Sequence, residues 1–405
     1  MTVVARFSTA LRTVAAAAAV VAAGAVPLRI ATSCFAPFEP YPGHTSDYGV
    51  ARPRAIREAL PSIADRPEPV ALVLGSSGVA RAFVPSVFDA ALAGRGKRYV
   101  SFNLGQLLFQ PETALAMAKD IRRTFEAKHK RVGLAVVGIA EPDINRDAIR
   151  AARKAMPDQA FTFASPEVLV DRAHVDPLGA LGDGLGLLFF GNVRPSRVGL
   201  WIEEAIEARL PACNSGLKQP PEGKEATAAL ASFCDELRAR FPRGVPPWNP
   251  ATRGGLDFGL PGTRASLERM IALQPSDVSS PPPPAVPPDP FAKAPDNVDE
   301  NEVRTMIAAV REIAAVSDDV FVLRDIMNPA VLASVPPAQS AQWRAIAARI
   351  AREGGARILD FNDGSVTSAD FGDRTHLNPL AAERFSALLA SRLRPMVQKD
   401  HHASR

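Results

Sequence analysis

Cysteine, tyrosine and tryptophan each occur only three times in 405 residues, and no CxxC or His-x-x-x-His pattern accompanies the cysteines. A metal centre built at ordinary thiolate and imidazole spacing is thereby excluded. His174, between Asp171 and Asp176, reads as a solvated loop, so the sequence calls for no metal and no cofactor. An excess of one charge is also lacking: 47 basic residues face 43 acidic ones, a formal balance of +4. The basic residues are scattered among acids and form no stripe with stacking aromatics, which argues against a nucleic-acid partner. No GxGxxG or Walker pattern follows the first strand-like run, which disfavours a nucleotide-binding domain. Long apolar runs are scarce too. Thr13 to Leu28 is uncharged and alanine-rich, but sixteen helical residues reach only about 24 Å, short of the roughly 30 Å of a bilayer core.

What is present begins with export. Arg6 and Arg12 precede that run and Arg29 follows it, the layout of a signal peptide or a short uncleaved anchor within residues 1–30. Both stay open, and both place the protein outside the cytoplasm, periplasmic or at the cell surface and close to a membrane. Ala23-Gly24-Ala25 has the small-x-small form of a cleavage site. Ser33-Cys34 departs from a lipoprotein acceptor, because Arg29 separates the cysteine from the apolar core. Residues 31–66, rich in proline and charge, read as a stalk or a strap on the domain surface. Cys213 and Cys234 either pair, closing a loop of about twenty residues worth about 3 kcal/mol, or stay as two buried thiols.

From Pro67 onward, strand-like runs alternate with helical patterns. Val70 to Leu74, Tyr99 to Leu104 and Val132 to Ile139 are the strand-like runs, the first and third of them apolar without polar alternation, as expected of strands buried on both faces of a parallel sheet. Helices are expected around 84–93, 112–127 and 146–154. The rhythm breaks between about 165 and 297 and ends in the polyproline stretch 279–298, which forms no packed element. This insertion is read either as a lid over substrate or partner, or as an elaborated outer layer. The rhythm then resumes with a helix over 302–316, the strand 320–326, a helix over 340–353, the strand 357–361 and a last helix over 379–393. The expected fold is a flavodoxin-like, doubly wound α/β three-layer sandwich with a parallel central sheet and a long insertion.

That rhythm gives meaning to two short patterns. Gly75-Ser76-Ser77 closes the first strand, and Asp373-Arg374-Thr375-His376 sits between the last strand and the last helix. Both fall at the same end of the sheet. An aspartate three residues before a histidine can hold one imidazole nitrogen and leave the other as a base for a serine. Ser77 is the candidate nucleophile, His376 the base and Asp373 the orienting acid.

These blocks resemble the SGNH, or GDSL-type, hydrolase superfamily over the core on both sides of the insertion. Leu74-Gly75-Ser76-Ser77 is similar to its first block with serine for aspartate, making Ser77 and not Ser76 the nucleophile. Phe102-Asn103-Leu104-Gly105 is similar to the second block, implying Gly105 N–H as an oxyanion donor beside that of Ser77, and Asp373 and His376 match the fifth. The third block departs: where Gly-x-Asn-Asp is usual, Gly138-Ile139-Ala140-Glu141-Pro142-Asp143 stands, without the asparagine. Asn103, beside Gly105, is the candidate to fill that gap. The Gly-Ser-Ser turn, the membrane-proximal N-terminus and the insertion are similar to one branch of the superfamily. That branch includes the D-alanyl transfer protein of lipoteichoic acid and the O-acetyltransferases of polymers such as alginate. The resemblance implies a serine esterase or O-acyltransferase acting on an acylated cell-envelope glycan or small ester, with a membrane-bound O-acyltransferase as partner. The missing asparagine leaves a second expectation, a catalytically degenerate protein of the same fold that serves as a cell-envelope binding or assembly factor.

Overall fold

The computed structural model describes residues 45–93, 98–106, 109–149, 224–240, 248–255, 298–372 and 375–399, with a few positions between 265 and 272. The export segment, Cys34, Cys213, His174, most of the insertion, the polyproline stretch up to residue 297 and Asp373 lie outside them.

Five strands form one all-parallel sheet: β1 (Val70–Gly75), β2 (Val100–Gly105), β3 (Leu134–Ile139), β4 (Val320–Arg324) and β5 (Arg357–Asp360). Their spatial order is β2-β1-β3-β4-β5, the order of flavodoxin-like doubly wound sheets. Residues of β1, β3 and β4 alternate between two cores. In β1, Val70, Leu72 and Leu74 face one and Ala71 and Val73 the other, so both faces demand apolar side chains and no polar alternation survives.

The first core is covered by α1 (Thr45–Ala64), α4 (Pro111–Ala127), α6 (Glu300–Val316) and α8 (Pro337–Gly354). The second is covered by α2 (Ser77–Ala82), α3 (Pro85–Leu92) and α9 (Pro379–Lys399). This is the expected α/β three-layer sandwich. A helix α5 (Lys224–Arg240) comes from the insertion, and the short α7 (Pro329–Ser334) follows β4. Residues 146–149 are helical, and the rest of the helix expected there lies outside the described residues. Among the described residues no helix is long and apolar enough to cross a membrane.

Residues 45–64, read as part of a stalk or strap, are instead helical in spite of Pro53 and Pro61. Burial outweighs the lost backbone bonds: Ile56, Leu60 and Ile63 are at most 1% exposed and join the core under α1 and α4. Helix α1 also delivers the buried Arg52 to the end of β2, where Nε donates to Gly105 O and Nη2 to Gly254 O at 2.9 Å.

The Trp248–Gly255 segment of the insertion shields that strand. Trp248 stacks on Phe102 and donates through Nε1 to Asn103 O at 2.8 Å, while Asn103 N–H donates to Arg253 O at 2.9 Å. Gly254 has φ +79°, and a Cβ there would strike Trp248 Nε1 and Asn103 O. This part of the insertion is outer layer, closing the hydrogen-bonding edge of β2. Arg52→Ala would leave two buried carbonyls without their donor, and a loss of about 2–3 kcal/mol is expected. The urea unfolding midpoint measures it.

Candidate active site

The carboxyl ends of β1, β3 and β4 meet where the strand order reverses, the usual place for a ligand crevice in this architecture. Gly75 ends β1, Ser76 caps α2 by accepting from Gly78 N–H at 3.2 Å, and Ser77 is the first residue of that helix. Ser76 also donates to Asp325 Oδ2 at 3.0 Å. Its hydroxyl thus serves the turn, whereas Ser77, half-buried, faces the loop before α9.

From that loop His376 approaches. Its Nε2 lies 2.8 Å from Ser77 Oγ, joining residues 299 positions apart, and its Nδ1 lies 3.1 Å from Thr375 Oγ1. The loop is closed by a short bridge between Phe371 and Leu377 and by Gly372 N–H donating to His376 O at 2.9 Å. Ser77 and His376 thus come together as their positions in the sequence led one to expect, while Asp373 lies outside the described residues.

The expected oxyanion roles of Asn103 and Gly105 do not match the geometry. Asn103 is fully buried, and its Nδ2 donates to the carbonyls of Ala80 and Phe83 at 3.0 and 2.8 Å. Helix α2 has only six residues, so carbonyls at its C-terminal end lack helical partners, and Asn103 supplies a donor. Its Oδ1 accepts from Gly105 N–H at 2.9 Å, which leaves that N–H engaged as well. Neither residue lines the cavity at Ser77.

An acid that sequence reasoning missed does line it. Asp325 immediately follows β4, its amide bonded to Ile139 O at 2.8 Å and its own carbonyl accepting from Asn362 Nδ2 at 3.0 Å. The carboxylate packs directly on Gly78, where a Cβ would come within 2.5 Å of Oδ2. The protein packed around this carboxylate raises its pKa, opposed by the hydrogen bonds from Ser76 and Ile326 and by the charge of His376. The signal available was positional: an aspartate one residue past a central strand, at the level of Ser77.

Asp143 occupies the segment where the asparagine is absent. It is 7% exposed, and its Oδ2 accepts from Ala140 N–H at 2.7 Å. Burial holds its pKa well above the ordinary carboxylate value, opposed by that hydrogen bond and reinforced by Asp325. The unfolded chain ionises this group near pH 4, so its contribution to stability is present below that pH and falls as pH rises through the raised native value. Asp143→Asn keeps an acceptor for Ala140. It is expected to gain on wild type between about pH 4 and pH 8, as read by urea unfolding at both ends. A gap that stays constant with pH would mean that folded Asp143 is ionised.

Ser77, His376 and Asp325 share a cavity of about 220 Å³. The turn after β3, helix α7 and helix α8 contribute apolar walls, among them Ile144, Val331, Val335, Trp343 and Ala347. Among the described residues no group of three His, Cys, Asp or Glu side chains is placed to hold a metal. Cys234 is disulfide-bonded, its partner lying outside the described residues. No protein-family model matches this sequence, and no curated protein matches it.

Proposed function

We propose that the protein is a serine esterase or O-acyltransferase working through an acyl-enzyme on Ser77. The observation that carries this reading is the 2.8 Å approach of His376 Nε2 to Ser77 Oγ, at the topological switch point and inside a cavity. His376 takes the hydroxyl proton while Oγ attacks the ester carbonyl carbon. The imidazolium then returns the proton to the leaving alkoxide as the carbon–oxygen bond breaks. Water or a sugar hydroxyl, deprotonated by His376, attacks the acyl-enzyme in turn and releases Ser77. Asp373 takes the orienting role that the sequence assigns to it, and the Asp325 carboxyl lines the same cavity as the imidazole. Ser77 N–H, at the start of α2, is the oxyanion donor in this reading.

The resemblance of the Gly-Ser-Ser, Asn-Leu-Gly and Asp-x-x-His blocks to SGNH hydrolases supports the same chemistry. It extends the proposal to an exported, membrane-proximal protein acting on acylated cell-envelope glycans beside a membrane-bound O-acyltransferase. One observation favours the second reading, a degenerate binding or assembly factor. Gly105 N–H, the Asn103 amide and Ala140 N–H are all engaged internally, and a missing oxyanion donor costs about 10²- to 10³-fold in turnover.

A fluorophosphonate separates the two readings. The expected result is a single adduct on Ser77, together with hydrolysis of p-nitrophenyl acetate that disappears in Ser77→Ala. Equal behaviour of wild type and Ser77→Ala with both reagents would leave the binding reading standing, and an adduct on Ser76 would move the nucleophile.

A further inference from the structure

Two carbons of an acetyl group do not fill the space beside Ser77. The cavity measures about 220 Å³, whereas an apolar cavity of roughly 150 Å³ already accommodates a benzene ring. Its apolar lining includes Ile144, Val331, Val335, Trp343 and Ala347, beside the polar Glu141, Asp143, Arg324, Asn328 and Ser334. Trp343 and Ala347 are 7% and 4% exposed and pack with β4 in the core, so this end of the space is fixed by folded helices rather than by loose side chains. A glycan can stack on the face of a tryptophan but gains little from the aliphatic walls. An alkyl group gains from every methylene it removes from water.

From the continuity of this apolar space with Ser77 Oγ, we infer that it holds the hydrocarbon chain of the acyl group, and that the preferred acyl donors carry about six carbons or more rather than two. The inference rests on the acyl-transfer reading above. The carbonyl carbon sits at Ser77, the chain runs between the turn after β3 and helices α7 and α8, and the polar alcohol partner remains outside. Val331 and Val335, both half-buried, stand on α7 and just after it. They set how much chain enters.

Two measurements on the full chain test this. With p-nitrophenyl acetate, hexanoate and octanoate, kcat/KM is expected to rise by at least about tenfold from acetate to hexanoate, each well-buried methylene being worth up to about fourfold. Val331→Trp should collapse that ratio, with Val335→Phe as the second variant should the first not fold. Independently of turnover, octanoate added to Ser77→Ala should give a saturable change in Trp343 fluorescence, assigned by its loss in a Ser77→Ala/Trp343→Phe protein. Ser77-dependent cleavage in which acetate equals or exceeds hexanoate, with no saturable octanoate signal, overturns the chain pocket and leaves the serine chemistry intact. Should wild type and Ser77→Ala cleave every ester alike, the nucleophile reading falls. The octanoate titration then decides the pocket alone: saturation supports an alkyl site, and its absence removes it.

Discussion

His376→Ala is expected to lower kcat for ester cleavage by about 10⁴-fold or more, with the fold intact by circular dichroism. Without the imidazole, Ser77 faces the carbonyl as a neutral hydroxyl, and only binding and the backbone donors remain to assist it. In the acyl-transfer reading base and nucleophile act as one unit, so Ser77→Ala should cost about as much, and the double variant should lose little beyond either single one. That non-additivity is the sharper criterion. Two side chains that merely shape the pocket would lose activity in proportion, and their effects would add. Steady-state kinetics of the four proteins on one ester supply the cycle.

The second large effect is expected from Gly105→Ala, for a reason unrelated to the oxyanion. A Cβ at Gly105 would meet the backbone nitrogen of Ala80, with Ala80 Cα at 2.7 Å and the Val79 carbonyl carbon at 3.0 Å. All three belong to helix α2, which begins at Ser77. Backbone cannot rotate out of the way as a side chain would, so the helix must shift. A stability loss of about 3 kcal/mol follows from such overpacking. A displacement of the nucleophile near 1 Å would lower kcat by about 10²-fold. Unfolding midpoints together with kcat, measured where the variant is folded, distinguish the two: reduced stability with normal turnover would mean that α2 relaxes elsewhere and Ser77 stays in place.

The strands were legible because a sheet buried on both faces requires unbroken runs such as Val70 to Leu74 and Leu134 to Ile139. Their parallel pairing was expected once the helical stretches between them were recognised, whereas their order, β2-β1-β3-β4-β5, is a finding of the structure. Ser77 was legible for the same reason, since a residue just after a parallel strand is carried to one sheet edge, and His376 because the connection from the last strand to the last helix begins at that edge. Helix α1 was not, because Pro53 and Pro61 signal a break, and only the buried contacts of Ile56, Leu60 and Ile63 reverse that signal. Asn103 misled for a different reason. Its place beside Gly105 suggested a ligand-facing amide, yet what it faces is the end of a six-residue helix whose carbonyls need donors. Asp325 carried no motif at all, and its meaning lay in β4 being central, a property of pairing rather than of spelling. The apolar half of the cavity was hidden too, since it joins side chains from the turn after β3 with others on α7 and α8.

The contact between Ser77 and His376 spans 299 positions, which fixes when in the life of the chain it arises. Local helices form early, but contacts between distant segments wait until loop-closure entropy has been overcome. Helix α9 packs on α2 and α3 and gives Phe385 and Leu389 to the second core, and it is the last described element to be synthesised. A chain truncated before the loop into this helix carries Ser77 without His376. In the acyl-transfer reading the serine therefore has no proton acceptor until the last segment of the fold has docked.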